Sequence, residues 1–491
     1  MIYGFFVFLS SVFLFFSSCT SGNVLSDELS DDSMISEHDV DTLYDNDRET
    51  DFDEKAEEVP DADGIEIPDD ISELPDGDIP GEPESCKDIG CKGFPDIVFA
   101  NTDNGTTTNI NSFVYLGSAD GYSVENRIEI PTIGAMGVDF ADVNKNGYID
   151  IAFASVKEQK EGEDEDRFST SLLYYGTADG FDLENRVEFP TVGCSDITLV
   201  DLDQDGWIDV ITPNRYDGSG ITGKGYKINS YVYWGSEDGF DIDKRLELPT
   251  VGAAKARVAD LNGNGINDIV FVNGVQEFVG VFESYIYWGT ENSKNGWSVE
   301  TRTTLPSVSP ETATIEDINE DGYLDIFISG WLCLTKCSLK NRIYWGDPEG
   351  FSDNNFTKID GVDGITDAIF VDLNSNGLKD IVMASGAVDV MSQEFAKTSY
   401  ILWGSPDASP DRYSWSSDNM TELPATAASE AGVADLNGDG YLDIVFSSHY
   451  PPEEEAEEVS QIYWGSSDGF NPENVTELPT FHAAGMKIIG E

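Results

Sequence analysis

A nine-residue pattern, Asp-x-[Asp/Asn]-x-[Asp/Asn]-Gly-x-x-Asp, recurs six times at intervals of about 55 to 63 residues, and this repeat restricts the possible folds more than any other feature. The copies run from Asp142 to Asp150, Asp201 to Asp209, Asp260 to Asp268, Asp317 to Asp325, Asp372 to Asp380 and Asp435 to Asp443. Each leads into a short apolar run, as in Ile269-Val270-Phe271. An aromatic-Gly signature comes next, as in Tyr233-Trp234-Gly235 and Tyr287-Trp288-Gly289. A polar turn follows, and then a run that closes on Leu-Pro-Thr or a near relative, as at Leu248-Pro249-Thr250. Turn signals at this spacing bound four short strands per unit. Four-stranded units repeated radially hide their edges by closing into a ring, so the predicted fold is all-β, a β-propeller of four-stranded blades.

Both ends of the repeat region set the count of blades. A degraded loop, Asp88 to Asp96, keeps the outer aspartates and the Gly but lacks the middle ligands. Its apolar run Ile97-Val98-Phe99, its Tyr115-Leu116-Gly117 and its Ile130-Pro131-Thr132 are all present. Only the strand before the loop is missing. In the other units the residue after Leu-Pro stands ten positions before the first Asp of the next loop, and the same count from Thr480 reaches Gly490. The segment Met486-Lys487-Ile488-Ile489 is therefore expected to complete the first blade, giving a seven-bladed ring over residues 86–491. The recurring aromatics are expected to form the core between blades.

The loop spacing has a chemical reading. Positions 1, 3 and 5 place side-chain oxygens around one point, Gly at 6 permits the sharp turn, position 7 offers a backbone carbonyl and Asp at 9 closes the shell. Six or seven hard oxygen ligands suit calcium better than magnesium. The first five positions follow the EF-hand, but the closing acid comes at 9 and a strand follows. The candidate ligands are Asp142, Asn144, Asn146, Tyr148 and Asp150; Asp201, Asp203, Asp205, Trp207 and Asp209; and Asp260, Asn262, Asn264, Ile266 and Asp268. In the later blades they are Asp317, Asn319, Asp321, Tyr323 and Asp325; Asp372, Asn374, Asn376, Leu378 and Asp380; and Asp435, Asn437, Asp439, Tyr441 and Asp443. Up to six Ca2+ ions are expected. The four-Asp loop 201–209 should bind tightest, loops 317–325 and 435–443 less tightly, and the loops with two Asn least. Metal-free Asp/Asn-Gly turns are the plainer alternative.

The run Asp435-Leu436-Asn437-Gly438-Asp439-Gly440-Tyr441-Leu442-Asp443-Ile444-Val445, with its downstream Tyr-Trp-Gly and Asp-Gly-Phe, resembles the VCBS and FG-GAP repeats. Blades of integrin alpha-subunit propellers are built from similar repeats. The resemblance spans about Cys86 to Glu491. It implies a seven-bladed propeller with calcium between the first two strands of a blade, on one face, and often a role in adhesion or extracellular binding.

The formal charge of −67 excludes nucleic acid and anionic membrane surfaces as partners by long-range repulsion. About a third of it lies between residues 20 and 85 and the rest in the body; in the former, acidic residues outnumber scattered apolar ones, and that segment is expected to be a disordered tether. Residues 1–19 read as an export signal, and Phe16-Ser17-Ser18-Cys19 resembles a bacterial lipobox. The resemblance implies lipidation of Cys19 and an exported protein held at the outer membrane or cell surface through its N-terminal lipid alone. A plain cleaved signal and an uncleaved anchor are the other readings, and all three put the body outside the cytoplasm. Cys86 and Cys91, and Cys333 and Cys337, stand close enough in sequence to form disulfides, as suits that compartment. Cys194 is expected to be a small buried hydrophobe.

Catalysis finds little support, and the protein is expected not to be an enzyme. His38 lies in the acidic segment, His449 is expected in an exposed loop, and His482 is expected to be a strand residue with a satisfied ring. There is no Gly-x-Ser-x-Gly elbow and no phosphate-cradling Gly loop. Binding leads, with an extracellular protein or glycan as ligand of a monomer. The variable segments Lys157 to Phe168, Arg215 to Lys227, Ala387 to Lys397 and His449 to Glu458 are the expected recognition surface. A carbohydrate-active site hidden among the acids and a structural envelope protein are the alternatives.

Overall fold

A computed structural model describes residue 89 and residues 93–156, 169–216, 225–274, 281–290, 294–330, 340–389, 394–406, 413–449 and 458–490. The leader, the acidic segment, Cys86, Cys91, Cys333 and Cys337 lie outside the described residues, as do 157–168, 217–224, 390–393 and 450–457 of the variable segments. No helix among the described residues is long and apolar enough to cross a membrane.

Seven four-stranded antiparallel sheets follow one another in chain order, the expected seven-bladed propeller. Blade 2 runs through strands Ala135–Ala141, Asp150–Ser155, Ser169–Thr177 and Gly180–Thr191. Blades 3 to 7 repeat it from the first strands Thr198–Val200, Ala253–Ala259, Ala313–Glu316, Ile365–Val371 and Ala428–Ala434. Blade 1 is assembled from both ends of the repeat region. Its first strand is Ala483–Ile489, antiparallel to Asp96–Asn101 with Ile97 opposite Ile488 and Phe99 opposite Met486. The first strands of successive blades touch one another around the whole ring, so they line its axis.

Burial follows position in the blade. All six residues of Asp268–Asn273, a second strand, are buried, because neighbouring blades cover both its faces. The outermost strand Arg245–Pro249 keeps only Leu248 inside. The core lies between blades. One cluster joins Leu202, Ile211 and Trp234 of blade 3 to Ile269, Phe271 and Tyr287 of blade 4.

Two sequence signatures that look independent meet at these seams. The tyrosine of the aromatic-Gly signature donates a hydrogen bond to the prolyl carbonyl that ends the preceding blade. Tyr287 reaches Pro249 at 2.6 Å and Tyr174 reaches Pro131 at 2.5 Å. Tyr233, Tyr344 and Tyr463 bond in the same way to Pro190, Pro306 and Pro424. At the closing seam Tyr115 reaches Pro479 at 2.5 Å. Burial raises the Tyr233 phenol to about 12, so it stays a donor. Only the seam between blades 5 and 6 lacks this latch, and there both halves are absent: Leu402 replaces the tyrosine and Asp360 the proline.

The axis is closed by ion pairs that no local motif announces. Lys255 Nζ of blade 4 stands 2.5 Å from Glu430 Oε1 of blade 7 and 3.8 Å from Asp367 Oδ1 of blade 6. Glu430 Oε2 accepts from the Met486 N–H at 2.5 Å, and Asp367 Oδ1 from the Thr312 hydroxyl at 2.9 Å. Arg257 Nη1 lies 2.9 Å from Asp196 Oδ2. Burial works against the charge of Lys255, but Glu430 and Asp367 prevail and hold its pKa above the ordinary lysine value. Removing one partner from such a group would strand a buried charge.

The histidines depart from the sequence reading. His482 is not a strand residue: it sits at φ 42° in the connection before the closing strand. Its Nδ1 is 2.8 Å from Asp103 Oδ1 of blade 1, and its Nε2 is 3.1 Å from Glu458 Oε1 of blade 7. Burial opposes its charge, but these two carboxylates push its pKa up to about 9. His449 is partly buried, its ring 6.1 Å from that of His482, where an exposed loop residue was expected. Burial and the charge on His482 drive it down to about 4. Cys194 is buried and unbridged, its thiol donating to the Asp196 carbonyl at 3.0 Å, in keeping with a small packed residue.

The latch predicts that Tyr287→Phe, which keeps the ring and removes the donor, lowers stability by about 1 kcal/mol; chemical denaturation of the variant checks this. At the seam, a folded pKa above the unfolded one stabilises at low pH and is lost as pH rises through about 9. The melting-temperature gap between the protein and His482→Gln should therefore be full at pH 6, shrink as pH rises from 6.5, and be nearly gone above pH 9.

Candidate metal centres

The six predicted loops each join the first strand of a blade to the second, so all six lie on one face of the ring. In blade 2, Asp142 accepts the Asn146 N–H at 3.0 Å and the Gly147 N–H at 2.9 Å. Asn144 Oδ1 also accepts from Asn146, and Asn146 Oδ1 accepts from the Tyr148 N–H at 2.8 Å. The side chains of Asp260, Asn262 and Asn264 repeat these bonds, as do those of Asp317, Asn319 and Asp321 in blade 5. Asp372, Asn374 and Asn376 do so in blade 6, and Asp435, Asn437 and Asp439 in blade 7. The spacing thus folds each loop around its own oxygens, as the sequence indicated.

Position 9 has a second duty that the sequence did not disclose. Asp209 is fully buried; its Oδ2 accepts from the Leu202 N–H at 2.9 Å and its Oδ1 from the Gly235 N–H at 2.8 Å. Gly235 is the glycine of the aromatic-Gly signature. A Cβ there would lie 2.2 Å from the Ile208 carbonyl, so only glycine brings the third strand this close. The same bond joins Asp150 to Gly176, Asp268 to Gly289, Asp325 to Gly346, Asp380 to Gly404 and Asp443 to Gly465. Asp96 binds Gly117 at 2.6 Å in blade 1, whose loop has lost its middle ligands. That survival is the signal in the sequence that position 9 has a structural duty apart from any metal.

Loop 201–209 fits a cation best. Asp201, Asp203 and Asp209 each bring a carboxylate oxygen within 4.8 Å of the others. Asp201 Oδ1 and Asp203 Oδ1 are buried without a hydrogen-bond partner, and Asp203 is only 6 % exposed. Buried anionic oxygens need a counter-charge or a donor. The Asn-containing loops partly supply their own: Asn262 Nδ2 donates to Asp268 at 3.3 Å, Asn374 to Asp380 at 3.2 Å and Asn319 to Asp321 at 3.0 Å. The four-Asp loop 201–209 has no side-chain amide at position 3 to play this part. Burial, outweighing the backbone bonds, raises Asp209 and Asp325 to about 7, and Asp150, Asp268, Asp380 and Asp443 to about 6.

Two outcomes separate the duties of these acids. Asp96→Asn should lower the melting temperature equally with calcium and with chelator, whereas Asp205→Asn should mainly reduce the calcium-induced rise. In the metal-free protein the raised carboxyl pKa values stabilise at low pH and that contribution is lost as pH rises through 6 to 7. Protons and calcium compete for the same acids. The calcium-induced rise in melting temperature should therefore be large at pH 8 and nearly absent at pH 5, as scanning calorimetry would read.

Residues 260–328 match the FG-GAP-like repeat family. No curated protein matches the chain. Among solved structures, a Bacteroides uniformis protein bearing the name of a 6-phosphogluconolactonase aligns with 81 % of this chain and 100 % of its own, at a TM-score of 0.50 and 10 % identity. A Bacteroides fragilis protein of the same name aligns with 81 % of this chain and 98 % of its own, at a TM-score of 0.46 and 10 % identity. At that identity the likeness speaks to fold alone. The family match across blades 4 and 5, with the same loop and staple in the other blades of the seven-bladed ring, fits an FG-GAP-repeat β-propeller.

Proposed function

We propose that this propeller is a calcium-binding protein of the cell envelope, exported and held by a lipidated Cys19, that takes an extracellular protein or glycan ligand. The observation that carries the calcium reading is the pair of buried, partnerless oxygens on Asp201 and Asp203. Hard carboxylate and carbonyl oxygens in that number suit Ca2+. Bound there, calcium would supply counter-charge and stiffness, while Asp209 keeps the third strand in place.

Ligand binding is read from topology. In an antiparallel blade the link between second and third strands leaves on the face opposite the metal loops. The variable segments 157–168, 215–227, 387–397 and 449–458 all fall in such links, in blades 2, 3, 6 and 7. Four links of variable sequence on one face of a rigid ring suit recognition. His482, with both ring nitrogens held by carboxylates, has no nitrogen to offer as a base, which favours binding over catalysis.

Glycan and protein arrays probed with the full chain, in calcium and in chelator, test this. Calcium-dependent capture is the expected result. Hydrolysis of a glycan would replace the reading with an enzyme, and silence on both arrays would replace it with a structural role.

A further inference from the structure

Position 4 of every metal loop is left-handed: Lys145 (φ 59°), Gln204 (56°), Gly263 (69°), Glu320 (58°), Ser375 (56°) and Gly438 (74°). The conformation is kept whatever the residue, and it aims the side chain at the following blade. Lys145 Nζ stands 4.0 Å from the ring centroid of Trp207, position 7 of the next loop. Gln204 Nε2 donates to the Gly265 carbonyl of the next loop at 2.9 Å. A Cβ on Gly438 would lie 3.6 Å from Phe94, position 7 of the degraded loop. Glu320 is hydrogen-bonded by Tyr413 of blade 6.

Three position-4 residues are too short to cover an aromatic ring ahead of them, Gly438 before Phe94 and two others. Gly263 precedes Tyr323 and Ser375 precedes Tyr441 around the ring. Those two tyrosines are 42 % and 43 % exposed, while Phe94, Tyr148 and Trp207 at the same position are half-buried. Both uncovered rings therefore follow a short partner, although Phe94, behind Gly438, is half-buried.

We propose that Tyr323 and Tyr441 are acceptor slots for the lysine ammonium groups of a basic protein partner, each slot taking the place that Lys145 fills over Trp207. The ring face attracts a cation, and the loops beneath carry Asp317, Asp321, Asp435 and Asp439. A formal charge of −67 steers lysine-rich segments toward this surface. Two slots on one rigid ring reward a partner with several lysines. Calcium would sit within the loop oxygens and leave the outward ring faces open. This surface is distinct from the ligand face proposed above, and its test is independent of that reading.

The test is fluorescence anisotropy of labelled hexalysine titrated with the full chain in calcium. One exposed cation–π contact corresponds to about a two- to five-fold change in affinity. The double variant Tyr323→Ala/Tyr441→Ala should weaken binding by at least that factor, with Ile242→Ala, an exposed side chain outside the metal loops, as the unaffected control. Gly263→Lys and Ser375→Lys should also weaken it, because each fills a slot from within while leaving both tyrosines in place. Ser236→Lys adds the same charge elsewhere and should have a smaller effect. Lys145→Ala, which uncovers Trp207, should strengthen binding. Equal binding by all variants, or by hexalysine acetylated at its side chains, overturns the proposal. Weakening by Ser236→Lys as large as by Ser375→Lys does so too, since general attraction to an acidic surface then accounts for the binding.

Discussion

The buried aspartate at position 9 is the interaction on which each blade depends. One carboxylate spans three strands: it ends the first strand's loop, begins the second and holds the amide of a glycine in the third. For Asp209 the two bonds are 2.9 and 2.8 Å, and for Asp96, where the calcium ligands are gone, the bond to Gly117 is 2.6 Å. Blade geometry is therefore set by the protein itself. A cation bound there would act on a loop already shaped, and would relieve the burial of charge that this staple requires. The raised carboxyl pKa values follow from that burial.

Much of the fold was legible because each blade repeats a pattern longer than any single element. Loop, aromatic-Gly and Leu-Pro-Thr signatures gave strand number and order, and Thr480 fixed where the closing strand should fall. Ligand spacing was legible for the same reason, since positions 1 to 9 are local. What escaped was contact between units. The Tyr287–Pro249 latch joins residues 38 apart and the Lys255–Glu430 pair residues 175 apart, and neither has a local pattern. His482 was misplaced because it lies between strand signals, held by Asp103 and Glu458 from opposite ends of the repeat region.

Departures from the repeat come in matched sets. Leu402 and Asp360 abandon the latch together, and the loop that lost its ligands keeps Asp96 opposite Gly117. Substitutions thus respect pairs that face each other in space across a seam or within a blade. A residue out of pattern is informative chiefly through its partner.

The closing strand has a consequence for how the ring is made. Phe481 donates to the side chain of Asn101, 380 residues earlier, and Ala483–Ile489 covers the last open edge of blade 1. Six blades can form from local contacts, but the seventh requires ends that meet only after nearly the whole domain has been produced, and contacts of such long range form slowly. During that interval the apolar strand Asp96–Asn101 is an uncapped edge, able to pair with the same edge of another molecule. Mutual repulsion between chains of charge −67 keeps such half-made rings apart until each has closed upon itself.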